Sequence, residues 1–412
     1  MNCGLIGYPL GHSYSPQIHR ALADYDYHLW PLKPEELEAF LTKRDFTGIN
    51  VTIPYKERVI PYLDGLSHTA RAIGAVNTVV NRDGRLHGDN TDLAGMLALI
   101  RSMGLTLSGK KVLILGTGGT SKTARAAAAQ LGAAEIYRVS RSGRDGAITY
   151  RQAAEAHGDA ACIINTTPCG MYPDLDGCPV ELDSFPRLEG VVDVIYNPLR
   201  SELVLGARQR GIPAEGGLYM LAAQAAYASA LFRGCEAAEE DIELAYRTVL
   251  RQMENIVLIG MPSSGKTTVG RLLAQRTGKE FVDTDALVEQ AVGMTVPAYF
   301  AAEGERAFRE REQEAVASAA AGGGKVIATG GGAVLRAENL RALRRTGRLV
   351  FLDRSPDKLT ATADRPLSAD PEALRRRYEE RYDLYCAAAD LRVNGDGSPE
   401  ETAERIEREW MI

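Results

Sequence analysis

The apolar and polar positions in the first hundred residues alternate between strand-like and helix-like patterns. Short apolar runs at residues 3–6 and 48–52 predict buried strands, and longer patterns at residues 35–42 and 92–103 predict helices. Alternation of this kind is typical of an α/β fold. We therefore expect a parallel sheet with covering helices in this part of the chain.

A strand, a glycine-rich turn and a helix follow in close succession. An apolar strand at residues 110–115 precedes the turn, and an alanine-rich helix and a second strand at residues 135–139 come after it. This order predicts the first βαβ unit of a Rossmann-type dinucleotide-binding domain. The turn contains Gly116, Thr117, Gly118, Gly119 and Thr120.

The end of the second strand indicates which dinucleotide is bound. The acidic residue that usually holds a ribose 2′-hydroxyl, about 20 positions after the turn, is absent. Ser140, Arg141 and Ser142 stand there instead, and hydroxyl and guanidinium groups suit a 2′-phosphate. NADP is therefore favoured over NAD, although a basic surface turn would give the same sequence.

A P-loop opens a separate domain in the C-terminal part. An apolar strand at residues 256–259 leads into the loop, and a helix at residues 267–277 follows it. Backbone N–H groups of such a loop wrap phosphate oxygens, its lysine neutralises them, and its threonine hydroxyl can bind Mg²⁺. A plain glycine-rich turn at a helix start is the alternative. The residues assigned to the nucleotide are Gly260, Ser263, Ser264, Gly265, Lys266, Thr267 and Thr268.

Length and composition limit the function classes. A chain of 412 residues predicts about two to three domains, and the P-loop strand places one boundary near Met253. A net charge of −6 argues against a general nucleic-acid or membrane-surface role. The six cysteines form no Cys-x-x-Cys pair, no signal peptide is evident, and no apolar run approaches about 18 residues. We expect a cytoplasmic protein that acts on small molecules, without nucleic-acid or membrane partners.

Two polar clusters in the first half can supply acid–base chemistry. One, at residues 50–56, ends in Lys56, and the other, at residues 88–92, ends in Asp92. A lysine beside a carboxylate in a cleft that excludes water is a workable proton donor for ketone reduction. A solvated surface lysine and a helix-capping aspartate are the alternatives, and spacing alone leaves them open.

Six motifs taken in order resemble the shikimate dehydrogenase family over about residues 1–250. That resemblance implies that Lys56 and Asp92 form the catalytic pair. It also implies that Val194 and Gly217 lie near the nicotinamide and that the 116–120 turn holds the NADP(H). The motifs are His-Ser-Tyr-Ser-Pro at 12–16, Gly-Ile-Asn-Val-Thr-Ile-Pro-Tyr-Lys at 48–56, Ala-Val-Asn-Thr at 75–78, Asp-Asn-Thr-Asp at 89–92, Gly-Thr-Gly-Gly at 116–119 and Met-Leu-Ala-Ala-Gln-Ala at 220–225. The substrate-binding residues implied in addition to the catalytic pair are Ser13, Ser15, Thr52, Asn77, Tyr196 and Gln224.

Two positions depart from that family. Asp145 occupies the place where a second arginine often follows the first, four residues after Arg141. Tyr219 replaces a glycine after the turn at residues 216–218, and we expect it to crowd the nicotinamide or reshape that wall.

The P-loop domain carries further candidates for phosphoryl transfer. Asp283 and Asp285 follow an apolar run, and residues two apart on a strand face the same side. One can then support Mg²⁺ and the other can accept the proton of an attacking hydroxyl, whereas a pair of helix-capping aspartates is the alternative. A glycine triplet at residues 330–332 follows a strand and permits a close approach to a ligand.

These stretches resemble shikimate kinase from about residue 255 to the end. The resemblance implies that Lys266 and Thr267 serve ATP and Mg²⁺ with support from Asp283, and that Asp285 orients the substrate hydroxyl. Residues 394–398 lack the basic ATP contact that the family usually has there. The resemblance further implies that Arg309, Gly331 and Arg381 bind the carboxylate and ring of the substrate. It also implies that Arg365 lies on a lid that closes over the phosphates.

The two resemblances support each other, because the product of one activity is the substrate of the other. We expect NADPH-dependent reduction of 3-dehydroshikimate to shikimate, then phosphorylation to shikimate 3-phosphate with ATP and Mg²⁺, by a monomer or homodimer. The first predicted domain spans residues 1–252, with 1–103 and 218–252 as the substrate-binding part and 104–217 as the Rossmann-type part. The second spans residues 253–412 and is a P-loop α/β domain with a parallel sheet like that of nucleoside monophosphate kinases. The alternatives are an NAD-preferring quinate/shikimate dehydrogenase half, a non-catalytic pathway sensor, and a kinase for another small alcohol.

Overall fold

The computed structural model describes residues 1–11, 13–359 and 371–410. It divides into two compact units, Met1–Leu250 and Arg251–Ile412. Among the described residues, no helix is both long and apolar enough to cross a membrane.

A six-stranded mixed sheet forms the first lobe of the first unit. Its strands are β1 (Asn2–Gly7), β2 (Asp26–Pro31), β3 (Gly48–Val51), β4 (Gly65–Leu66), β5 (Thr78–Arg82) and β6 (Arg85–Asp89), in the order β2-β1-β3-β5-β6-β4. The predicted parallel pairing is confirmed for β1, β2 and β3, and it is wrong for β5, which runs antiparallel to β3 and β6. Asp83 and Gly84, with φ of 52° and 81°, make the tight turn that reverses the chain between β5 and β6.

Four helices of the described residues belong to this first lobe, and two of them begin at a side-chain cap. Ser67 and Asn90 cap the third and fourth helices by accepting hydrogen bonds from Ala70 N and Leu93 N. The helices are α1 (Ser15–Leu22), α2 (Leu37–Lys43), α3 (His68–Ile73) and α4 (Thr91–Ser102).

The second lobe is the predicted dinucleotide-binding sheet, and all its strand pairs are parallel. The strands are β7 (Lys111–Leu115), β8 (Glu135–Ser140), β9 (Ile148–Thr149), β10 (Cys162–Asn165), β11 (Gly190–Asp193) and β12 (Ala214–Glu215), in the order β12-β11-β10-β7-β8-β9. The helices α5 (Gly119–Gln130), α6 (Tyr150–Ala156) and α7 (Glu202–Gln209) connect them. Val112 and Ile114 pack into one core and Leu113 and Leu115 into the other, so both faces of β7 are buried.

Two further helices, α8 (Leu218–Arg233) and α9 (Glu239–Met253), follow β12. Helix α8 packs along α4 and α1 and so returns the chain to the first lobe. Close approach needs glycine at two places: a Cβ on Gly95 would lie 2.7 Å from Met220 O, and one on Gly48 would lie 2.1 Å from the Phe232 ring.

A five-stranded parallel sheet forms the second unit. Its strands are β13 (Asn255–Ile259), β14 (Glu280–Asp283), β15 (Lys325–Ala328), β16 (Gly347–Asp353) and β17 (Leu391–Asn394), in the order β14-β15-β13-β16-β17. All four strand pairs are parallel, so the predicted sheet is confirmed here. The helices are α10 (Lys266–Thr277), α11 (Thr284–Val292), α12 (Val296–Ala320, kinked at Gly304), α13 (Ala337–Thr346), α14 (Pro371–Ala388) and α15 (Pro399–Trp410).

Candidate functional site

A cavity of about 280 Å³ in the first unit collects the residues predicted to bind substrate. The side chains come from the loop after β3, from the segments just before β5 and just after β11, from the starts of α1 and α4, and from α8. Thr120, Val194 and Gly217, predicted to lie near the dinucleotide, line the same cavity. The predicted substrate residues present are Ser13, Ser15, Thr52, Lys56, Asn77, Asp92, Tyr196 and Gln224.

Lys56 and Asp92 form an ion pair in this cavity. Lys56 Nζ lies 2.6 Å from Asp92 Oδ2, and their side chains are 33% and 16% exposed. Asn90 caps helix α4 through its own side chain, so the Asp92 carboxylate is not used as the cap. Asn77 Nδ2 donates to Asp92 Oδ1 at 2.9 Å and fixes the second oxygen of that carboxylate. The pair has the geometry of a positioned proton donor and its counter-charge.

A buried polar network behind the pair includes residues that sequence reasoning did not select. Asn50 lines the cavity and is 6% exposed. Its Oδ1 accepts a hydrogen bond from Tyr27 OH at 2.7 Å. Tyr27 stacks on His19 with ring centroids 4.0 Å apart, and burial lowers the pKa of His19 to about 3. Asn50 lies on β3 two positions before Thr52, which follows the strand, and its place in the 50–56 polar cluster was the available signal.

The glycine-rich turn leaves open space at the N-terminus of α5. Gly116 has φ of 105°, and a Cβ there would lie 2.8 Å from Thr166 Oγ1. Gly118 precedes the N-terminus of α5, and a Cβ on Gly118 or Gly119 would meet open space. Ser121, in place of a third glycine, is buried and donates to Gly118 O at 2.6 Å. The turn therefore leaves room beside a helix N-terminus, where phosphate is favoured.

The predicted 2′-phosphate residues lie at the end of β8 and just beyond it. Ser140 Oγ accepts from Gly143 N at 3.0 Å, which closes the loop, while Arg141 and Ser142 are exposed. Asp145 adopts φ of 55°, and its carbonyl accepts a hydrogen bond from Arg138.

The expectation that Tyr219 crowds the nicotinamide or reshapes that wall stays a prediction, and the cavity lining does not favour it. Tyr219 does not line the cavity; its ring lies 5.3 Å from that of Tyr246 on α9, and burial raises its pKa to about 12. Gly217 instead leaves no room for a side chain, because a Cβ there would lie 2.1 Å from Val194 O. Helix α8 begins after Gly217 and carries Tyr219 away from the cavity.

The P-loop of the second unit joins β13 to α10. Gly260, Ser263 and Gly265 have φ of 146°, 65° and 92°, which turns the backbone around the loop. Lys266 is 6% exposed, and its Nζ donates to Gly260 O at 2.9 Å and to Met261 O at 2.7 Å. Ser264 is buried in the loop, and Thr268 lies in the first turn of α10. The lysine and the N-terminus of α10 together make a cationic cradle.

Asp283 and Asp285 do not share a strand face as predicted. Strand β14 ends at Asp283, whose Oδ1 caps α11 by accepting from Asp285 N at 3.0 Å. Asp283 Oδ2 also accepts from Thr267 Oγ1 at 2.8 Å, which joins it to the P-loop helix. A Cβ on Gly330 would lie 2.6 Å from Asp285 Oδ1, so Asp285 faces the glycine turn after β15. Both carboxylates still lie at the carboxyl edge of the sheet.

The glycine turn also gathers the predicted acid-binding residues. A Cβ on Gly332 would lie 2.0 Å from Arg309 Nη1, and Arg381 Nη1 donates to Gly331 O at 3.2 Å. Sequence reasoning missed two residues here: Glu312, whose Oε2 lies 2.7 Å from Arg309 Nη1, and Tyr385, which donates to Gly331 O. They stand three positions after Arg309 and four after Arg381, helical spacings that place such pairs on one face.

Arg365, predicted to close over the phosphates, lies outside the described residues, as does His12 of the first motif. Groups of three or more metal-ligating His, Cys, Asp or Glu side chains do not occur in the described part of the chain.

Fold and site together define a nucleotide-dependent oxidoreductase unit followed by a P-loop phosphotransferase unit. Comparison with known proteins agrees. The family model of the shikimate dehydrogenase substrate binding domain matches residues 5–79, and that of shikimate kinase matches residues 262–410. The chain belongs to the shikimate dehydrogenase family through its first unit, carries a shikimate kinase domain in its second, and is a bifunctional enzyme of the shikimate pathway.

Individual relatives resemble the first unit over nearly their whole length. Shikimate dehydrogenase (NADP(+)) of Halothermothrix orenii is 39% identical over an alignment of 267 residues that covers 56% of this chain and 90% of that protein. The Geobacillus kaustophilus enzyme of the same name is 38% identical over 55% of this chain and 90% of its own. The structure of Thermus thermophilus shikimate 5-dehydrogenase in complex with NADP(H) and shikimate has a TM-score of 0.54 and 31% identity, and covers 60% of this chain and 98% of that one.

Proposed function

We propose that the first unit reduces 3-dehydroshikimate to shikimate with NADPH and that the second unit phosphorylates shikimate with ATP. The observation that carries the first half is the Lys56–Asp92 pair, 2.6 Å apart, in a cavity lined by both the substrate and dinucleotide candidates. The second half rests on the P-loop helix, which Thr267 joins to Asp283, and on Asp285 and Arg309, which both face the 330–332 glycine turn. Shikimate is the compound that links the two reactions.

In the first reaction the chain's own residues hold the acid and supply a proton. NADPH, when bound, supplies the hydride. The Lys56 ammonium donates the proton to the ketone oxygen, and Asp92 stabilises and orients it. Hydroxyl and amide groups of Ser13, Ser15 and Gln224 bind the substrate oxygens directionally, with Thr52, Asn77 and Tyr196 on the same walls.

NADP is the dinucleotide we assign to this unit. Ser140, Arg141 and Ser142 offer two hydroxyls and a guanidinium at the end of β8, and no acidic side chain of that stretch opposes a 2′-phosphate. The relatives named above carry NADP(+) in their names. NAD is the second candidate, because a Listeria monocytogenes structure with 30% identity contains shikimate and NAD.

In the second reaction the P-loop holds ATP, which supplies the phosphoryl group. Lys266 neutralises the phosphates, and Asp285 accepts the proton of the shikimate 3-hydroxyl. Thr267 Oγ1 and the Asp283 carboxylate lie 2.8 Å apart and are hard oxygen donors, a set that fits Mg²⁺, which takes one or two protein ligands and keeps several waters. Mg²⁺ there would offset phosphate charge. Arg309, Arg381 and Gly331 bind the carboxylate and ring, and Arg365 completes the nucleotide site.

We assign these activities to the segments 1–252 and 253–412, with 1–103 and 218–252 as the substrate-binding part and 104–217 as the NADP-binding part. We propose a monomer or homodimer in solution.

One incubation tests both assignments. The full chain with 3-dehydroshikimate, NADPH, ATP and Mg²⁺ should yield shikimate 3-phosphate. Lys56→Met should lower NADPH oxidation by about 10²–10⁴-fold and leave phosphorylation of added shikimate intact, and Lys266→Met should do the reverse. Each variant controls for the folding of the other unit. Binding of both acids without turnover would favour a sensor, and equal rates with NADH would favour the NAD alternative.

A further inference from the structure

Arg354 follows directly after β16 and has an unpaired donor in a partly buried position. Its Nε is buried and has no hydrogen-bond partner among the described residues. Its guanidinium forms no ion pair with any carboxylate in the described ranges. A buried charged donor without an acceptor is costly, so such a group calls for a partner that arrives from outside the chain.

The side chain lies between two glycine loops. Its Cβ lies 3.8 Å from the position that a Cβ would take on Gly395, and its Nη1 lies 3.7 Å from the corresponding position on Gly265. Gly265 belongs to the P-loop and immediately precedes α10. The guanidinium is therefore beside the cationic cradle that Lys266 and the N-terminus of α10 form.

The neighbouring carboxylates already have partners of their own. Asp353 Oδ2 lies 2.7 Å from Arg392 Nη2, and its Oδ1 accepts from Tyr378 OH at 3.1 Å. Asp396 accepts hydrogen bonds from the Ser355 backbone and side chain, and these bonds are the main reason that its pKa is lowered. The positive charge of Arg354 also contributes to lowering the pKa of Asp396, but among the described residues neither carboxylate accepts a hydrogen bond from Arg354, so its donors remain available to a ligand.

We propose that Arg354 binds a phosphate group of the nucleotide in the kinase unit. This inference rests on the proposed use of ATP there. Residues 394–398, where the sequence lacks an expected basic contact, form the loop against which the Arg354 stem lies. A planar guanidinium with several donors suits phosphate oxygens, and a phosphate would satisfy the unpaired Nε. From its place just after β16, Arg354 thus supplies a positive charge that the 394–398 loop does not provide.

The test compares Arg354→Gln and Arg354→Lys with a matched control in the full-length enzyme. Arg405→Gln removes the same charge from an exposed position on α15. The measurements are the KM values for ATP and shikimate, the Kd of MgADP by calorimetry, and inhibition by inorganic tripolyphosphate, which has phosphates and no base. The dehydrogenase activity of every variant serves as a control that the protein is folded and at the stated concentration.

Loss of one charge-assisted hydrogen bond to phosphate is expected to weaken ATP, MgADP and tripolyphosphate binding about tenfold in Arg354→Gln. Arg354→Lys should recover part of this loss, and KM for shikimate and the Arg405→Gln values should stay within about twofold of wild type. Unchanged MgADP affinity would overturn the proposal, and so would weaker MgADP binding with unchanged tripolyphosphate inhibition, which would indicate a base contact. Wild-type enzyme that binds MgADP and fails to phosphorylate shikimate would refute the proposed kinase function alone.

Discussion

Two arginine–glutamate pairs on helix α12 allow a direct measurement of what burial does to an ion pair. Arg309 and Glu312 lie 2.7 Å apart with side chains 9% and 1% exposed, whereas Arg311 and Glu314 lie 2.6 Å apart and are 48% and 65% exposed. Both pairs have the same spacing on the same helix. Glu312→Gln and Glu314→Gln therefore make the same chemical change in two different surroundings.

The expected costs differ several-fold. Breaking a buried pair by removing one charge costs about 3–5 kcal/mol, because the other charge stays buried, and an exposed pair contributes about 0.2–1 kcal/mol. Arg309 keeps a contact with Glu305 at 3.2 Å, and Glu305 is 58% exposed and hence well screened. We therefore expect about 3 kcal/mol for Glu312→Gln and less than about 0.5 kcal/mol for Glu314→Gln.

Urea unfolding of the full chain can read out the second unit by itself. The two tryptophans are Trp30 in the first unit and Trp410 in the second, where its Nε1 donates to Glu254 Oε2 at 3.0 Å. In a Trp30→Phe background, fluorescence follows only the second unit. With an m-value of about 2 kcal/mol/M, Glu312→Gln should lower the midpoint by about 1.5 M and Glu314→Gln by at most about 0.25 M. Equal shifts in the two variants would refute the argument that burial sets the cost.

Three further predictions concern the first unit. Burial lowers the pKa of His19 to about 3. Below about pH 6.5 the unfolded chain therefore binds a proton at this histidine that the folded state does not bind. The free energy of unfolding should then fall as pH drops from about 6.5 toward 3. His19→Gln should flatten that dependence by about 1.4 kcal/mol per pH unit in urea titrations; an unchanged slope would contradict it. Gly217→Ala, with its Cβ 2.1 Å from Val194 O, should cut NADPH oxidation at least about tenfold while kinase rates stay constant; wild-type oxidation rates would be the contrary result. Tyr219→Ala should cost about 2 kcal/mol of stability and leave KM for NADPH within about twofold, whereas a large KM change would place its ring at the nicotinamide after all.

The sequence allowed most of the first-unit cavity to be predicted, for a physical reason. Functional side chains of an α/β sheet lie where strands end and helices begin. Sequence signals such as Pro54, the cap at Asn90 and the 116–120 turn mark those points. Chemically distinctive residues at such positions converge once the strands are side by side. Lys56 and Asp92, 36 residues apart in the chain, meet at 2.6 Å in this way.

The direction of one strand and the last residue of another were missed. The alternation of strands and helices does not specify strand direction, and the Asp83-Gly84 pair, a typical two-residue hairpin turn, was the available signal that β5 runs antiparallel to β6. The same-face argument for Asp283 and Asp285 assumed that the strand continued, and the cap at Asp283 ended it. The sequence of α12 does not distinguish Glu312 from the solvent-exposed glutamates of the same helix, whereas the structure shows that its side chain is only 1% exposed.

The ending of β14 at Asp283 has a consequence for the kinase unit that a continuous strand would not have. The Asp283 carboxylate accepts a hydrogen bond from Thr267 of the P-loop helix on Oδ2 and one from the first turn of α11 on Oδ1. Thr284, the next residue, accepts from Gly330 N at 3.0 Å and so ties the same turn to the glycine loop that contacts Arg309. Since hydrogen bonds to a charged acceptor are strong and directional, Asp283 sets the position of Asp285 relative to the P-loop through consecutive backbone atoms. The metal side and the acceptor side of the proposed phosphoryl transfer are therefore held in register by three adjacent residues, Asp283, Thr284 and Asp285.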